Sequence, residues 1–197
     1  KKGRPISKFF FIPSFVAGLT AAALGYCVMS FLMTATPLQV VEVSRLSHEA
    51  NARVIQWHVV AMFAPSLFSG LLIAKFGVQK ILWAGLFCFV LACIIGLSGT
   101  DFISYMVTLI FLGIGWNFLY VGGSSVIAHI TAVEERGRVQ GIADFCIFSL
   151  VALASMFSGM FHSEFGWKYM IYISFAPIIL ILTALIIGKP NLRDKMT

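Results

Sequence analysis

The stretch Ser66-Leu67-Phe68-Ser69-Gly70-Leu71-Leu72-Ile73-Ala74-Lys75-Phe76-Gly77 returns as Ser155-Met156-Phe157-Ser158-Gly159-Met160-Phe161-His162-Ser163-Glu164-Phe165-Gly166, 89 positions later. Ser, Phe, Ser, Gly, Phe and Gly match in register, while Glu164 stands where the first copy has Lys75. Each copy closes one long apolar run and opens the next. With an odd number of membrane crossings between them, the copies face opposite sides of a bilayer. That arrangement is the sequence mark of an inverted repeat in an alternating-access transporter.

Composition agrees with a lipid environment. Of 197 residues, 59% are hydrophobic and 11% charged, against roughly 25% charged in a soluble domain. Nineteen phenylalanines suit a surface that faces lipid rather than water. The net charge of +6 reads as a topology signal rather than a nucleic-acid footprint, so no nucleic-acid partner is expected. Cys27, Cys88, Cys93 and Cys146 all lie in apolar runs without a CxxC pair or nearby metal ligands. They read as small buried hydrophobes, and neither metal nor cofactor is expected. The sequence opens on Lys1 rather than Met, so a fragment of a longer chain is expected.

A membrane helix needs about 20 apolar residues. Segments 14–41, 50–74, 78–98, 102–131, 139–162 and 169–187 meet this, and short charged connections separate them. With the N-terminus inside, eleven Lys and Arg fall on the inner side: Lys1, Lys2, Arg4, Lys8, Lys75, Lys80, Arg136, Arg138, Lys189, Arg193 and Lys195. Three fall outside: Arg45, Arg53 and Lys168. This bias places both termini in the cytoplasm. The expected fold is all-α, a polytopic membrane protein of six transmembrane helices arranged as a 3+3 inverted repeat. Residues 1–13 form a cytoplasmic segment linking to a preceding half. Residues 14–98 and 102–187 are the two three-helix repeats, and 188–197 a cytoplasmic tail.

Polar residues are unevenly shared among these spans. The third and sixth are almost wholly apolar and are expected against lipid. The other four carry stripes at helical spacing: Tyr26, Ser30, Met33 and Pro37, with Thr34 and Gln39 beside them; His58, Met62, Ser66 and Ser69; Gly113, Asn117, Tyr120 and Ser124, with Trp116 adjacent; and Asp144, Phe148, Val151, Ser155, Ser158 and His162. Polar groups at membrane depth face protein or water, so these four helices are expected to surround an interior. The serine stripes also suit close helix packing, the bland reading of them.

Tyr26, Ser30, Thr34, Gln39, His58, Met62, Trp116, Asn117, Tyr120 and Ser124 are therefore the cavity candidates. Asp144 is the carboxylate set deepest in a span. It serves either as a proton carrier or as a latch at the cytoplasmic end. His58 and His129 join it as coupling or gate candidates, with Lys75, Lys80, Glu135 and Arg138 in the inner loops. His48 and His162 are expected in solvent. Enzyme readings fail: Ser69-Gly70 and Ser158-Gly159 lack the Gly-x-Ser-Gly of intramembrane serine proteases, and no phosphate loop or nucleophile elbow is present.

These residues also carry a family likeness. Gly70-x3-Ala74-Lys75-x-Gly77-x2-Lys80 resembles the second copy of the signature loop of the major facilitator superfamily, with Ala74 where that loop typically has Asp. Gly113-Ile114-Gly115-Trp116-Asn117-Phe118, Gly122-Gly123 and Glu134-Glu135-Arg136-Gly137-Arg138 through Asp144-Phe145 resemble the tenth and eleventh helices of bacterial members. Ser30 through Pro37 resembles the seventh helix, and Gln56-Trp57-His58 the start of the eighth. The resemblance implies the C-terminal six-helix half of a secondary transporter in a bacterial inner membrane. It implies that the four striped helices line the central cavity, and it supports the latch role of Asp144. The expected function is movement of a small amphipathic or hydrophobic solute, with proton coupling as an option. Its expected partners are the bilayer, the solute and a second six-helix half. The alternative is a non-transporting six-helix subunit for assembly or binding, as a homodimer or with a partner half.

Overall fold

The computed structural model describes residues 4–190, and all regular structure among them is helical. A 3-10 turn, Ile6–Phe11, leads into α1, Pro13–Pro37. Pro13 suits the first helical position, where its missing N–H has no partner to lose. Pro37 ends the regular ladder, and a π-helical stretch, Leu38–Val43, carries the rod on to Val43. Next come α2, His48–Phe63, and α3, Ser66–Phe76, bent by 41° at a break. Pro65 explains the break, because it has no N–H and crowds the preceding turn. Then follow α4, Val78–Ser98, α5, Phe102–Ile130, and α6, Val133–Gly188. The side chain of Ser47 caps α2, and that of Asp101 caps α5 through the Ile103 and Ser104 N–H groups.

Four of these helices are long and apolar enough to cross a membrane, and α2 with α3 together make a fifth. The longest, α6, has 56 residues, more than twice what a crossing of about 20 requires. Its one non-helical residue is Gly166, so it is two helices, 133–165 and 167–188, meeting at a kink. The sequence reading expects a charged loop near 163–168. The chain instead turns on one glycine, and Glu164 and Lys168 sit on helix.

Gly77 and Gly166 are the matched glycines of the repeat. Their backbones agree as well, with φ 87°, ψ 147° at Gly77 and φ 76°, ψ 174° at Gly166. This region is essentially restricted to glycine. A Cβ at either position would meet nothing within 4 Å, so the constraint is conformational rather than steric. Gly77→Ala and Gly166→Ala should each cost about 1–3 kcal/mol. Matched losses in thermal stability in detergent are the expected reading; a neutral result at either site would remove the constraint there.

The core is organised on α5, which packs against α1, α2 and α4, while α1 packs along both arms of α6. Glycine lets α5 approach so closely. A Cβ on Gly113 would lie 2.8 Å from the His58 carbonyl on α2, and one on Gly115 2.9 Å from the Gly85 carbonyl on α4. One on Gly123 would lie 2.3 Å from the Gly18 carbonyl on α1. Around these crossings pack Leu82, Phe89, Leu109, Leu112, Leu119, Val28, Met29 and Leu32, all buried.

Candidate functional site

The four striped helices meet in one aromatic group. Trp116 and Tyr120, one turn apart on α5, stack at 5.4 Å with 6° between their planes. Tyr26 from α1 meets both edge-on, at 5.1 and 5.5 Å. Phe148 from α6 meets Tyr26 at 5.8 Å, and Phe63 from α2 meets Trp116 at 6.0 Å. Trp116 is buried and its indole N–H has no partner among the described residues; Phe63 and Phe148 remain exposed. The result is a wall of aromatic rings with exposed Phe63 and Phe148 at its edge, supplied by every helix that the polar stripes single out. Flat conjugated rings associate with such surfaces by stacking and edge-to-face contact. Phe63, absent from the candidates read from sequence, is the last residue of α2 before the break.

Asn117 stands behind this wall, fully buried. Its amide donates to the Met62 carbonyl at 2.7 Å and to the Ser66 hydroxyl, while its side-chain oxygen accepts from Ser69 at 2.8 Å. Met62 is buried beside it and Ser124 is half-buried. His58 is also fully buried. Its Nδ1 donates to the Leu109 carbonyl at 2.6 Å, which leaves Nε2 a buried acceptor without a partner among the described residues. In the second copy, the hydroxyls of Ser155 and Ser30 are 2.6 Å apart and Ser158 donates to the Phe31 carbonyl. The serines of copy one thus tie α3 to α5, and those of copy two tie α6 to α1. Thr34, on the same helix, is exposed.

At the other end of α1 the π-helical stretch turns Gln39 inward. Gln39 donates to the Tyr105 hydroxyl at 2.8 Å and accepts from His162 Nε2 at 2.9 Å, and Ser44 joins the Tyr105 hydroxyl at 2.7 Å. His162 is therefore buried, not solvated, because Gln39 offers it a partner; His48 is exposed as expected. This network floors a depression of about 660 Å³ bounded by Gly99, Thr100, Gly166 and Lys168.

An ionic tie joins Arg4 and Glu135. Arg4 donates to Glu135 from its backbone and, at 2.8 and 3.1 Å, from its guanidinium; it also reaches the Ile130 carbonyl. Arg138 donates in turn to the Arg4 carbonyl. Phe9, beneath the Arg4 guanidinium, seats the segment on Ile127, Val139 and Ala143. Glu135 lies in the first turn of α6, ahead of its apolar run. The Arg4 hydrogen bonds hold its carboxyl down at about 2. Because the folded value is depressed, the tie is fully present above pH 4.5 and is lost as pH falls from there towards about 2. A nitroxide at the exposed Ser7 should stay immobile at pH 5–7 and loosen through that window. With Glu135→Gln it should be loose throughout; an immobile label in that variant would remove the tie. Asp144 is half-buried, within Coulombic reach of Tyr120, and makes no hydrogen bond or ion pair among the described residues. His129 Nε2 is buried and has no hydrogen-bond partner among the described residues, Asp144 included. Lys75 and Lys80 are exposed, Lys75 lying over the Phe76 ring.

The family model of the Major Facilitator Superfamily matches residues 19–195. The chain belongs to the major facilitator superfamily. It is 40% identical over 190 residues to the riboflavin transporter RfnT of Brucella anthropi, covering 96% of this chain and 48% of that protein. It is 32% identical over 149 residues to the uncharacterized MFS-type transporter YdeG of Bacillus subtilis, covering 74% of this chain and 34% of that one. A third relative, the uncharacterized MFS-type transporter YddS of Bacillus subtilis, is 29% identical over 154 residues, 76% of this chain and 35% of its own length. The chain spans about half the length of the first of these and about a third of the others. Major facilitator membership makes it an integral membrane protein of a transporter family rather than an enzyme.

Proposed function

We propose that this chain is one six-span half of a secondary transporter that moves a flat, conjugated, weakly polar solute by alternating access, with riboflavin as the first candidate. The aromatic wall carries the reading: Tyr26, Phe63, Trp116, Tyr120 and Phe148 come from four helices, with Phe63 and Phe148 exposed. Those rings suit an isoalloxazine-like solute, and the 40% identity to a riboflavin transporter points the same way. Ser30, Thr34, Gln39 and Ser124 add polar contacts along the path. Counting α2 with α3 as one crossing and α6 as two gives six spans in a 3+3 inverted repeat, 14–98 and 102–187. The matched backbones of Gly77 and Gly166 support that count. Both termini are cytoplasmic, the membrane is a bacterial inner membrane, and a second six-helix half covers the wall's exposed edge. Proton coupling would use Asp144, which makes no ion pair among the described residues, and His58, whose Nε2 offers a buried lone pair.

The test uses the complete polypeptide in bacterial cells unable to make riboflavin. Growth on low external riboflavin, with uptake abolished by excess unlabelled riboflavin, is the expected result. Uptake no greater than in cells without the protein would sink the substrate assignment. Collapse of the proton gradient should slow uptake if coupling is by protons.

A further inference from the structure

We infer that Asn117 is the clasp of a hinge at Pro65, holding α2 and α3 bent where they adjoin the aromatic wall. Proline alone interrupts a helix but does not fix what lies across the interruption. Here α3 starts a fresh ladder: Leu67 N–H bonds to the Ala64 carbonyl and Ser69 N–H to that of Pro65. No backbone bond across the break reaches the Met62 carbonyl among the described residues. Asn117 takes that place. One amide hydrogen goes to Met62 before the break and the other to Ser66 after it, and its oxygen receives Ser69 a turn later. Ser69 also lies 2.8 Å from the Pro65 carbonyl. Both sides of the bend are thus held by a single side chain on α5. An amide supplies the two donors and the acceptor that this needs; a carboxylate or hydroxyl does not.

The repeat provides an internal comparison. Ala154 stands where the first copy has Pro65, and α6 is helical there, its one non-helical residue being Gly166. Ser155 and Ser158 still tie to α1, but to Ser30 and the Phe31 carbonyl, with no carboxamide between them. The bend is therefore particular to the first copy. Its neighbours give it a use. Phe63 is the last residue before the break, and it touches Trp116, which adjoins Asn117 in sequence. Any change in the bend moves Phe63 against the wall, so α3 and the contents of the wall are mechanically linked. That use rests on the wall being the solute site; the clasp itself does not.

The test places nitroxides at the exposed Arg53 and Lys75 of the complete polypeptide and reads their separation by pulsed electron resonance. Asn117→Ala should lengthen and broaden the distribution. Pro65→Ala with Asn117→Ala should give a longer, narrow distribution and regain the thermal stability lost in the single variant, because the unbroken ladder then satisfies Met62. Riboflavin uptake should fall about tenfold or more in both. An unchanged distance in Asn117→Ala overturns the clasp. Parental uptake in the double variant overturns the hinge, since a straight helix would then serve equally well. If the parent does not move riboflavin, the distances still decide the clasp, so the two readings fail separately.

Discussion

Gly123→Val is expected to abolish stable folding. The added Cβ would lie 2.3 Å from the Gly18 carbonyl, 3.0 Å from the Ala22 Cβ and 3.1 Å from its backbone nitrogen. Two of these three are backbone atoms, which cannot swing aside as a side-chain tip can. The helices must separate, yet Gly113 and Gly115 hold α5 just as closely to α2 and α4. Moving α5 off α1 therefore disturbs three interfaces at once. Overpacking a core costs about 1–3 kcal/mol and sometimes more; a branched side chain against backbone belongs at the upper end. Disturbing three interfaces together multiplies that cost towards the whole stability of a domain, about 5–15 kcal/mol, so most of the protein should aggregate on extraction. Size-exclusion chromatography in mild detergent reads this directly. Gly141→Ala is the control, since a Cβ there meets nothing. A monodisperse peak from Gly123→Val would mean that the α1–α5 crossing is far looser than described.

Trp116→Ala should weaken solute binding about tenfold or more while leaving insertion intact. Trp116 touches Tyr26, Phe63 and Tyr120, so its removal takes the central ring from the wall and frees the others to reorient. Stacking of a heterocycle on an aromatic side chain contributes roughly 1–3 kcal/mol, and the loss of its neighbours' order adds to this. The apparent KM for riboflavin should rise about tenfold or more. Trp57→Ala, at a 53% exposed position, should leave KM unchanged. Equal loss in the two variants would mean that bulk hydrophobicity, not the wall, determines uptake.

Much of this was legible in the sequence because lipid imposes simple rules. Span 78–98 coincides with α4, since a run of apolar residues bounded by glycine admits little else. The choice of four lining helices rested on polar spacing, and those four supply the aromatic group. What escaped the reading is side-chain partnership. Asn117 reads as a solute contact because a carboxamide at membrane depth needs partners; it finds them in a carbonyl exposed by Pro65, a proline visible one residue before the matched serine. His162 reads as solvated because it lies at a span's end, yet it continues the Ser155–Ser158 stripe, and a π-helical turn brings Gln39 to it. Glu135 reads as part of a charged loop, and nothing short of the fold shows that it sits in the first turn of α6 with Arg4 over it. Tyr105 carries no signal at all, since one tyrosine at the start of a span usually marks the interface.

The central position of α5 bears on how the protein is made. Helices leave the ribosome in order; α4 packs mainly on α5 and α1 on both α5 and α6, while α1 and α4 pack little on one another. Until the span 102–130 is inserted, Gly18 and Gly85 face lipid, and the earlier spans have almost nothing to hold them together. Synthesis thus passes through a stage in which about half the chain is in the bilayer yet unassembled. A stall there, or slow release from the insertion machinery, would expose small-residue helix faces to quality-control proteases. Faults in biogenesis should therefore concentrate in the interval before α5 is complete, even when the substituted residue lies on α1.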